Sequence, residues 1–368
     1  MKFYSNKPSI PNAADYNTLI ESIFDSGFLT NFGQCHTELI SKLRTTFQTE
    51  NLALCNNATT ALTCVIRSIT DEKKTKVITT PFTFSATCHS IIWANKTPVF
   101  VDIEENGFNL CPSAVESAID NDTAAIVPVH CYGFPCQLQK FDEISERYNI
   151  PIIYDAAHTF GIEYQKKSLV AQGSAAVVST HATKAFNTAE GAIVYFHDEK
   201  HCSHFTSMTN FGIDSNGETS SLGLNAKLSE LHAALGLLNL ENFPKNVVKR
   251  HQLWDAYNSA FGGDSRLKII ELQEDLKFNF GYYPLTVIDP TVNIDNVISN
   301  LLDNDIIVRK YFSPILNRTK AFADCKVVGK LKNAEKLNDK VLCLPIHEDY
   351  LPHAQFIAEK VKQSFDGS

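Results

Sequence analysis

Lys184 stands alone in a polar loop, Ser179-Thr-His-Ala-Thr-Lys184-Ala-Phe-Asn-Thr-Ala-Glu-Gly191, directly after the apolar run Ala175-Ala-Val-Val-Ser179. Upstream, the run Ile152-Ile-Tyr154 ends in Asp155-Ala-Ala-His158, which places a carboxylate at the same kind of strand exit. Strand exits of an open α/β sheet are where ligands bind. An amine and a carboxylate there suit pyridoxal 5′-phosphate (PLP), which needs an amine for its aldehyde and an anion for its pyridinium nitrogen. Taken singly, the two residues read more readily as a surface-loop lysine and a helix N-cap aspartate. Their pairing at two strand exits is what points to chemistry.

Three further pieces suit the same site. Asn57-Ala-Thr59-Thr60-Ala61-Leu62 opens a helical pattern with hydroxyls and free backbone N–H groups, and a helix N-terminus favours an anion, so Thr59 and Thr60 are candidate phosphate ligands. Asn and Thr there also read as ordinary N-caps. Ser179 is placed to add a hydroxyl to the same phosphate. Phe84, in Pro81-Phe-Thr-Phe84-Ser-Ala-Thr87, offers a ring to stack on a pyridine, with core packing as the alternative.

These residues require a sheet to hold them. Short apolar strands are expected at 77–80, 98–102, 124–129, 152–154, 175–179 and 192–195. Amphipathic helices are expected between several of them, as at Leu62, Val65, Ile66 and Ile69 and at 138–148. Strands this apolar are buried on both faces, which means a mainly parallel sheet covered by helices. Beyond about residue 245 the pattern changes to a helix at 245–261, a strand at 282–288, a helix at 294–304, a strand at 306–309 and a helix at 354–365. The expected organisation is a large domain, 1–244, and a small α+β domain, 245–368, with N-terminal residues as candidates to join the small one.

Composition sets the outer limits. The chain has 368 residues, 44% hydrophobic and 20% charged, with net charge −8, an ordinary globular balance. Basic residues are dispersed, so nucleic acid is not the expected main partner. No apolar run approaches a membrane span, and Met1–Lys7 lacks the apolar stretch of a signal peptide. Ten cysteines are scattered through apolar segments. They are expected to be reduced and mostly buried, in a cytoplasmic chain without disulfides or a metal site.

The ordered set of motifs resembles the DegT/DnrJ/StrS family of PLP-dependent aminotransferases acting on nucleotide-linked keto-sugars. Besides the runs above, the matching pieces are Phe28-Leu-Thr-Asn-Phe-Gly33, Pro98-Val-Phe-Val-Asp-Ile103, Val129-His-Cys-Tyr-Gly133, Asp155-Ala-Ala-His-Thr-Phe-Gly161, Gly223-Leu-Asn225-Ala-Lys-Leu-Ser-Glu230, Val308-Arg-Lys-Tyr-Phe312 and Leu344-Pro345. The resemblance implies PLP fold type I, the aspartate aminotransferase-like arrangement. It implies that Lys184 bonds the cofactor and then shuttles the proton, that Asp155 pairs with the ring nitrogen and that Phe84 stacks on the ring. Thr59, Thr60 and Ser179 would hold the phosphate, joined by Asn225 of a partner subunit in a homodimer with shared sites. His158 falls where many members carry a glutamine near the phenolic oxygen, a hydrogen bond that imidazole can also make. Arg309, Lys310 and Tyr311 are the candidates for a substrate diphosphate, with a solvated basic pair as the alternative.

Members that remove a hydroxyl carry histidine at the lysine position, and this chain has Lys184. The implied reaction is therefore transamination, with L-glutamate as donor. The stretch around Lys184, with Asn210-Phe-Gly212 and Gly223–Lys227, resembles the branch that aminates C4 of dTDP-4-keto-6-deoxyglucose for O-antigen or other surface polysaccharides. Amination at C3, a PLP-dependent lyase of the same fold and a non-catalytic regulatory paralog are the alternatives.

Overall fold

The structure is a computed structural model that describes residues 1–366. Its centre is an open sheet with helices on both sides. The strands are β1 (Leu52–Cys55), β2 (Lys76–Thr79), β3 (Thr97–Phe100), β4 (Thr123–Ile126), β5 (Ile153–Asp155), β6 (Ala175–Ser179) and β7 (Ala192–Phe196). They lie in the order β1-β7-β6-β5-β4-β2-β3. Two hydrogen-bonded runs make it up, joined by parallel bridges Ile126↔Ile152 and Val129↔Asp155. Only β7 runs antiparallel, pairing with β1 and β6. Nearly every residue of these strands is buried, and β6 is buried throughout, as a sheet covered on both faces requires.

Expected and observed strand limits differ by a few residues, and β1 went unpredicted. Leu52-Ala-Leu-Cys55 is four buried residues with no alternation, so only its pairing with β7 marks it as a strand. The helix expected at 245–261 is the second half of one helix, Glu230–Phe261, which continues through Pro244. A proline inside a helix removes one hydrogen bond and costs about 3 kcal/mol. Packing at both ends offsets this. Ala233, Ala234 and Leu237 lie in the core under the large sheet, whereas Leu253, Trp254, Tyr257 and Phe261 lie in a second core.

That second core surrounds β8 (Tyr283–Val287), antiparallel to β9 (Val341–Leu344). It is covered by the helices Ile294–Asp303 and Ala354–Asp366. Phe3 and Tyr4 pair in parallel with Ile306 and Ile307, so the first residues of the chain pack with the last hundred. The strand expected at 306–309 stops at Ile307. All ten cysteines are free thiols. Among the described residues, no helix is long and apolar enough to cross a membrane.

Candidate active site

Lys184 projects from the loop between β6 and β7. That loop is closed on itself by Thr180 Oγ1 to Thr188 Oγ1 at 2.6 Å, Thr188 N to Thr180 O at 2.8 Å and Lys184 N to His181 O at 2.9 Å. Gly191 sits at its base, where an added Cβ would lie 2.3 Å from Thr188 Oγ1 and 2.5 Å from Thr180 Oγ1. The closure therefore depends on the missing side chain. Lys184 Nζ donates to the Tyr282 hydroxyl at 2.9 Å, a contact across 98 residues of sequence.

Withdrawal from water pushes the Lys184 amine down to about 8, opposed by the nearby carboxylate of Asp155. The sign is opposite to that of a salt-bridged lysine. The folded protein holds the free amine at lower pH than the unfolded chain does, so this group favours folding more as pH rises from about 8 towards its ordinary value of 10.5. We expect competitive acylation of the apoprotein to label Lys184 with a half-maximal rate near pH 8, well before the surface lysines. Peptide mass spectrometry reads this directly, and a half-maximum near 10 would contradict it.

Asp155 ends β5. Its Oδ2 accepts the Thr87 hydroxyl at 2.7 Å, and its Oδ1 accepts the N–H of Ala157 at 3.2 Å. Thr87 in turn meets Thr83 Oγ1 at 2.9 Å. Burial raises the carboxyl, while Thr87, the Ala157 N–H and Lys184 hold it down. Burial pushes lysine and aspartate both towards neutrality. A protonated ring nitrogen against Asp155 would favour its charged form.

The two residues share a cavity of about 270 Å³, lined also by Thr59, Phe84, His158, Ser179 and Tyr311. Asn57 caps the Ala58–Ile69 helix, its Oδ1 accepting the Thr60 N–H at 2.8 Å. This leaves the helix N-terminus, with the Thr59 hydroxyl, at one end of the cavity. Phe84 is 59% exposed, so its ring is free to cover a ligand and is not used up in the core.

The remaining expected residues fall elsewhere. Thr60 lies outside this cavity and lines a neighbouring depression, which shares Thr59, with Arg67, Trp93 and Leu222. Asn225 is also outside it, its Oδ1 accepting from Lys227 Nζ at 2.9 Å. Arg309 and Lys310 line a neighbouring depression that shares Phe84, Tyr311 and Phe312 with the main one. Lys310 is paired there with Asp295 at 3.2 Å and Asp339 at 3.0 Å. Of that trio only Tyr311 reaches the lysine cavity, its hydroxyl accepting from Asn6 Nδ2 at 2.6 Å.

Sequence reasoning missed Tyr282, Thr87 and Asn6. Tyr282 had been read as the start of a strand, and Thr87 lay within a quoted motif but was given no role. Asn6 carried no signal at all. Among the described residues, no group of three or more His, Cys, Asp or Glu side chains is arranged to hold a metal ion.

A reactive amine, a buried carboxylate, a helix N-terminus with hydroxyls and an uncovered aromatic ring line one cavity. That set fits the aldehyde, ring nitrogen, phosphate and ring face of PLP.

The sequence model of the DegT/DnrJ/EryC1/StrS aminotransferase family matches residues 12–362. The dTDP-4-amino-4,6-dideoxy-D-glucose transaminase of Escherichia coli is 35% identical over 350 residues, 93% of each chain. That of Shigella dysenteriae is 34% identical over 347 residues, 94% of each. Among solved structures, DesI in the presence of its TDP-sugar product has a TM-score of 0.93 at 26% identity, covering all of this chain and 94% of the other. Helicobacter pylori PseC, described as an aminotransferase involved in the biosynthesis of pseudoaminic acid, has a TM-score of 0.93 at 25% identity over the full length of both chains.

Proposed function

Because this chain belongs to the DegT/DnrJ/EryC1/StrS aminotransferase family and is a PLP-dependent nucleotide-sugar aminotransferase, we propose that it moves an amino group from L-glutamate to C4 of dTDP-4-keto-6-deoxyglucose. The product is dTDP-4-amino-4,6-dideoxyglucose, a precursor for O-antigen or another surface polysaccharide. One observation carries this choice: two relatives at 34–35% identity over more than nine-tenths of the chain bear the name of that transaminase. Relatives named for UDP-linked substrates are 26–28% identical.

PLP supplies the electron sink that makes a proton next to an amino group removable. The protein's residues do the rest. With the cofactor bound, Lys184 would hold the aldehyde and, once free, would hold and pass on a proton at Nζ. A group whose pKa lies near the working pH is suited to both halves of that transfer. Tyr282 holds Nζ by its hydrogen bond at 2.9 Å. Asp155, fixed by Thr87 and the Ala157 N–H, keeps the ring nitrogen protonated. Donor and sugar use one cavity in turn, so the kinetics are ping-pong.

The test is to offer the PLP-loaded protein, with glutamate, a panel of dTDP-, UDP- and GDP-linked keto-sugars and to identify the product by NMR. An amine at C3, or a preference for a UDP-sugar, would overturn the proposal. Stoichiometric keto-acid release separates transamination from elimination.

Two further parts of the reading are open to measurement. Lys310 is already paired with two aspartates, so Arg309 is the cation of that pair left for a diphosphate. Arg309→Ala is expected to raise the sugar KM about ten- to a hundredfold, equivalent to about 1.5–3 kcal/mol, and to leave the glutamate half-reaction nearly intact. Equal damage to both half-reactions would instead indicate a structural role.

The second part is assembly. Asn225 lies outside its own subunit's cavity, amid exposed apolar residues that include Phe211, Leu222 and Leu224. Such a face suits an interface, and the proposal places Asn225 on the phosphate of a second copy. Sedimentation at assay concentrations should show a dimer. A fully active monomer would rule this out.

A further inference from the structure

The loop that carries Lys184 presents two more side chains to the cavity, and the mechanism above uses neither. Thr180 N donates to Gly191 O at 3.0 Å and Ala182 N to Ala189 O at 2.6 Å, so the two arms of the loop lie antiparallel with His181 opposite Glu190. Both residues line the Lys184 cavity. Residues directly opposite on antiparallel arms present neighbouring side chains, and here His181 Nε2 lies 3.6 Å from Glu190 Oε1.

That separation is too long for a hydrogen bond between the two. His181 Nδ1 accepts the backbone N–H of Thr183 at 3.3 Å and meets the Thr183 hydroxyl at 2.8 Å. A backbone N–H can only donate, so the neutral ring keeps its proton on Nε2, facing Glu190. The Glu190 carboxylate has no hydrogen bond among the described residues. Other polar groups of the cavity are engaged: Asp155 accepts two hydrogen bonds, Asn6 donates to Tyr311, and Tyr282 holds Lys184. A donor and an acceptor therefore border the cavity unspent. A hydroxyl oxygen about 2.8 Å from each fits the gap, because it can accept from Nε2–H and donate to the carboxylate at once.

We propose that His181 and Glu190 together bind the sugar hydroxyl next to the carbonyl that is aminated, the C3 hydroxyl of a 4-keto-sugar, and so select the acceptor substrate. This rests on reading the cavity as the site of amination at C4. The carbonyl carbon must come beside Lys184, whose Nζ passes the proton, and the hydroxyl one carbon away then meets the loop that carries the lysine. L-Glutamate has no hydroxyl to bridge the pair, so the contact belongs to the sugar half-reaction. A site built to hydrogen-bond a hydroxyl rejects the analogue that lacks it, because its own donor and acceptor are then left unbridged.

The test compares dTDP-4-keto-6-deoxyglucose with its 3-deoxy analogue as acceptors for the PLP-loaded protein. Wild type should favour the hydroxylated sugar about ten- to a hundredfold in kcat/KM, the effect of a hydrogen bond to a charged group. Glu190→Met, which removes the acceptor, should bring that preference close to one by slowing the hydroxylated sugar alone. Glu190→Gln keeps a neutral acceptor and should restore part of the preference, while His181→Phe should lower it. The two side chains are 46% and 54% exposed, so these variants should fold as wild type does.

An unchanged preference in Glu190→Met would overturn the assignment. So would equal losses with both sugars, which would mark the pair as structural. A wild-type protein indifferent to the C3 hydroxyl would overturn it as well. Failure of the underlying reading looks different: NMR of the wild-type product would show the amine at another carbon, or no amine at all, and the assignment would fall with that reading.

Discussion

Lys184→Ala is expected to abolish turnover with every amino donor while the folded protein still takes up the pyridoxamine form of the cofactor. The variant loses both functions assigned to the amine. One is the bond to the aldehyde carbon, the other the proton transfer, which alone is typically worth about 10²- to 10⁴-fold. It keeps Asp155 with its two hydrogen bonds, the helix N-terminus at Asn57–Thr60 and the Phe84 ring, so affinity for the amine form should survive. The side chain reaches the cavity from a loop closed by Thr180, Thr188 and Gly191, and alanine does not disturb that closure. Absorbance separates the outcomes: wild-type protein shows a visible band that glutamate bleaches, and the variant shows none. Wild-type turnover in the variant would overturn the role of Lys184 and the mechanism with it.

Arg250→Met is expected to destabilise the fold by about 3–5 kcal/mol, the cost of leaving a buried charge without its partner. Arg250 is 2% exposed. Its Nε donates to Glu348 Oε2 at 2.9 Å and its Nη2 to Ser9 Oγ at 3.1 Å, while the Ser9 hydroxyl donates to Glu348 Oε1 at 2.5 Å. The Ser9 carbonyl accepts from Asn187 Nδ2 at 3.0 Å, so the network joins the N-terminal segment, the long helix, the C-terminal region and the loop that carries Lys184. Replacing both Arg250 and Glu348 by apolar residues of similar size should recover much of the loss. Denaturant unfolding of the single and double variants reads the difference, and a single variant as stable as wild type would show that the pair contributes nothing.

Acid should act on the same region. Burial works against the Glu348 charge, yet Arg250 and His347 hold its carboxyl below the usual range. Burial pushes His347 down to about 4, and His36 likewise to about 4. For both histidines the unfolded chain binds the proton more readily, so stability falls as pH drops from about 6.5 towards 4. The depressed carboxylate loses its contribution in the same direction, only at lower pH. A melting temperature that falls steadily from pH 7 to pH 4 is the expected result.

Much of this protein was legible one segment at a time. Alternating apolar runs and amphipathic stretches fixed a mainly parallel sheet under helices, because burial on both faces imposes a composition that survives without neighbours. Lys184 and Asp155 were legible for the same reason, since a strand exit is a local feature: Asp155 ends its strand and Lys184 lies in the loop five residues past the end of its own. The fold decided what local pattern does not encode. Thr59 and Thr60 are adjacent in sequence, but successive helical side chains point about 100° apart, and only Thr59 lines the lysine cavity, while both line the depression beside it.

Tyr311 and Arg309 were read together, yet only Tyr311 lines the lysine cavity. Tyr282 and Thr87 meet Lys184 and Asp155 across 98 and 68 residues, distances that no motif spans. Pro244 signals a break to any local rule, and the helix runs on because two separate cores hold its two halves. The identity of the reactive groups belonged to the sequence. Their partners, and therefore their charge states, belonged to the tertiary structure, because burial and hydrogen bonding are properties of the packed chain.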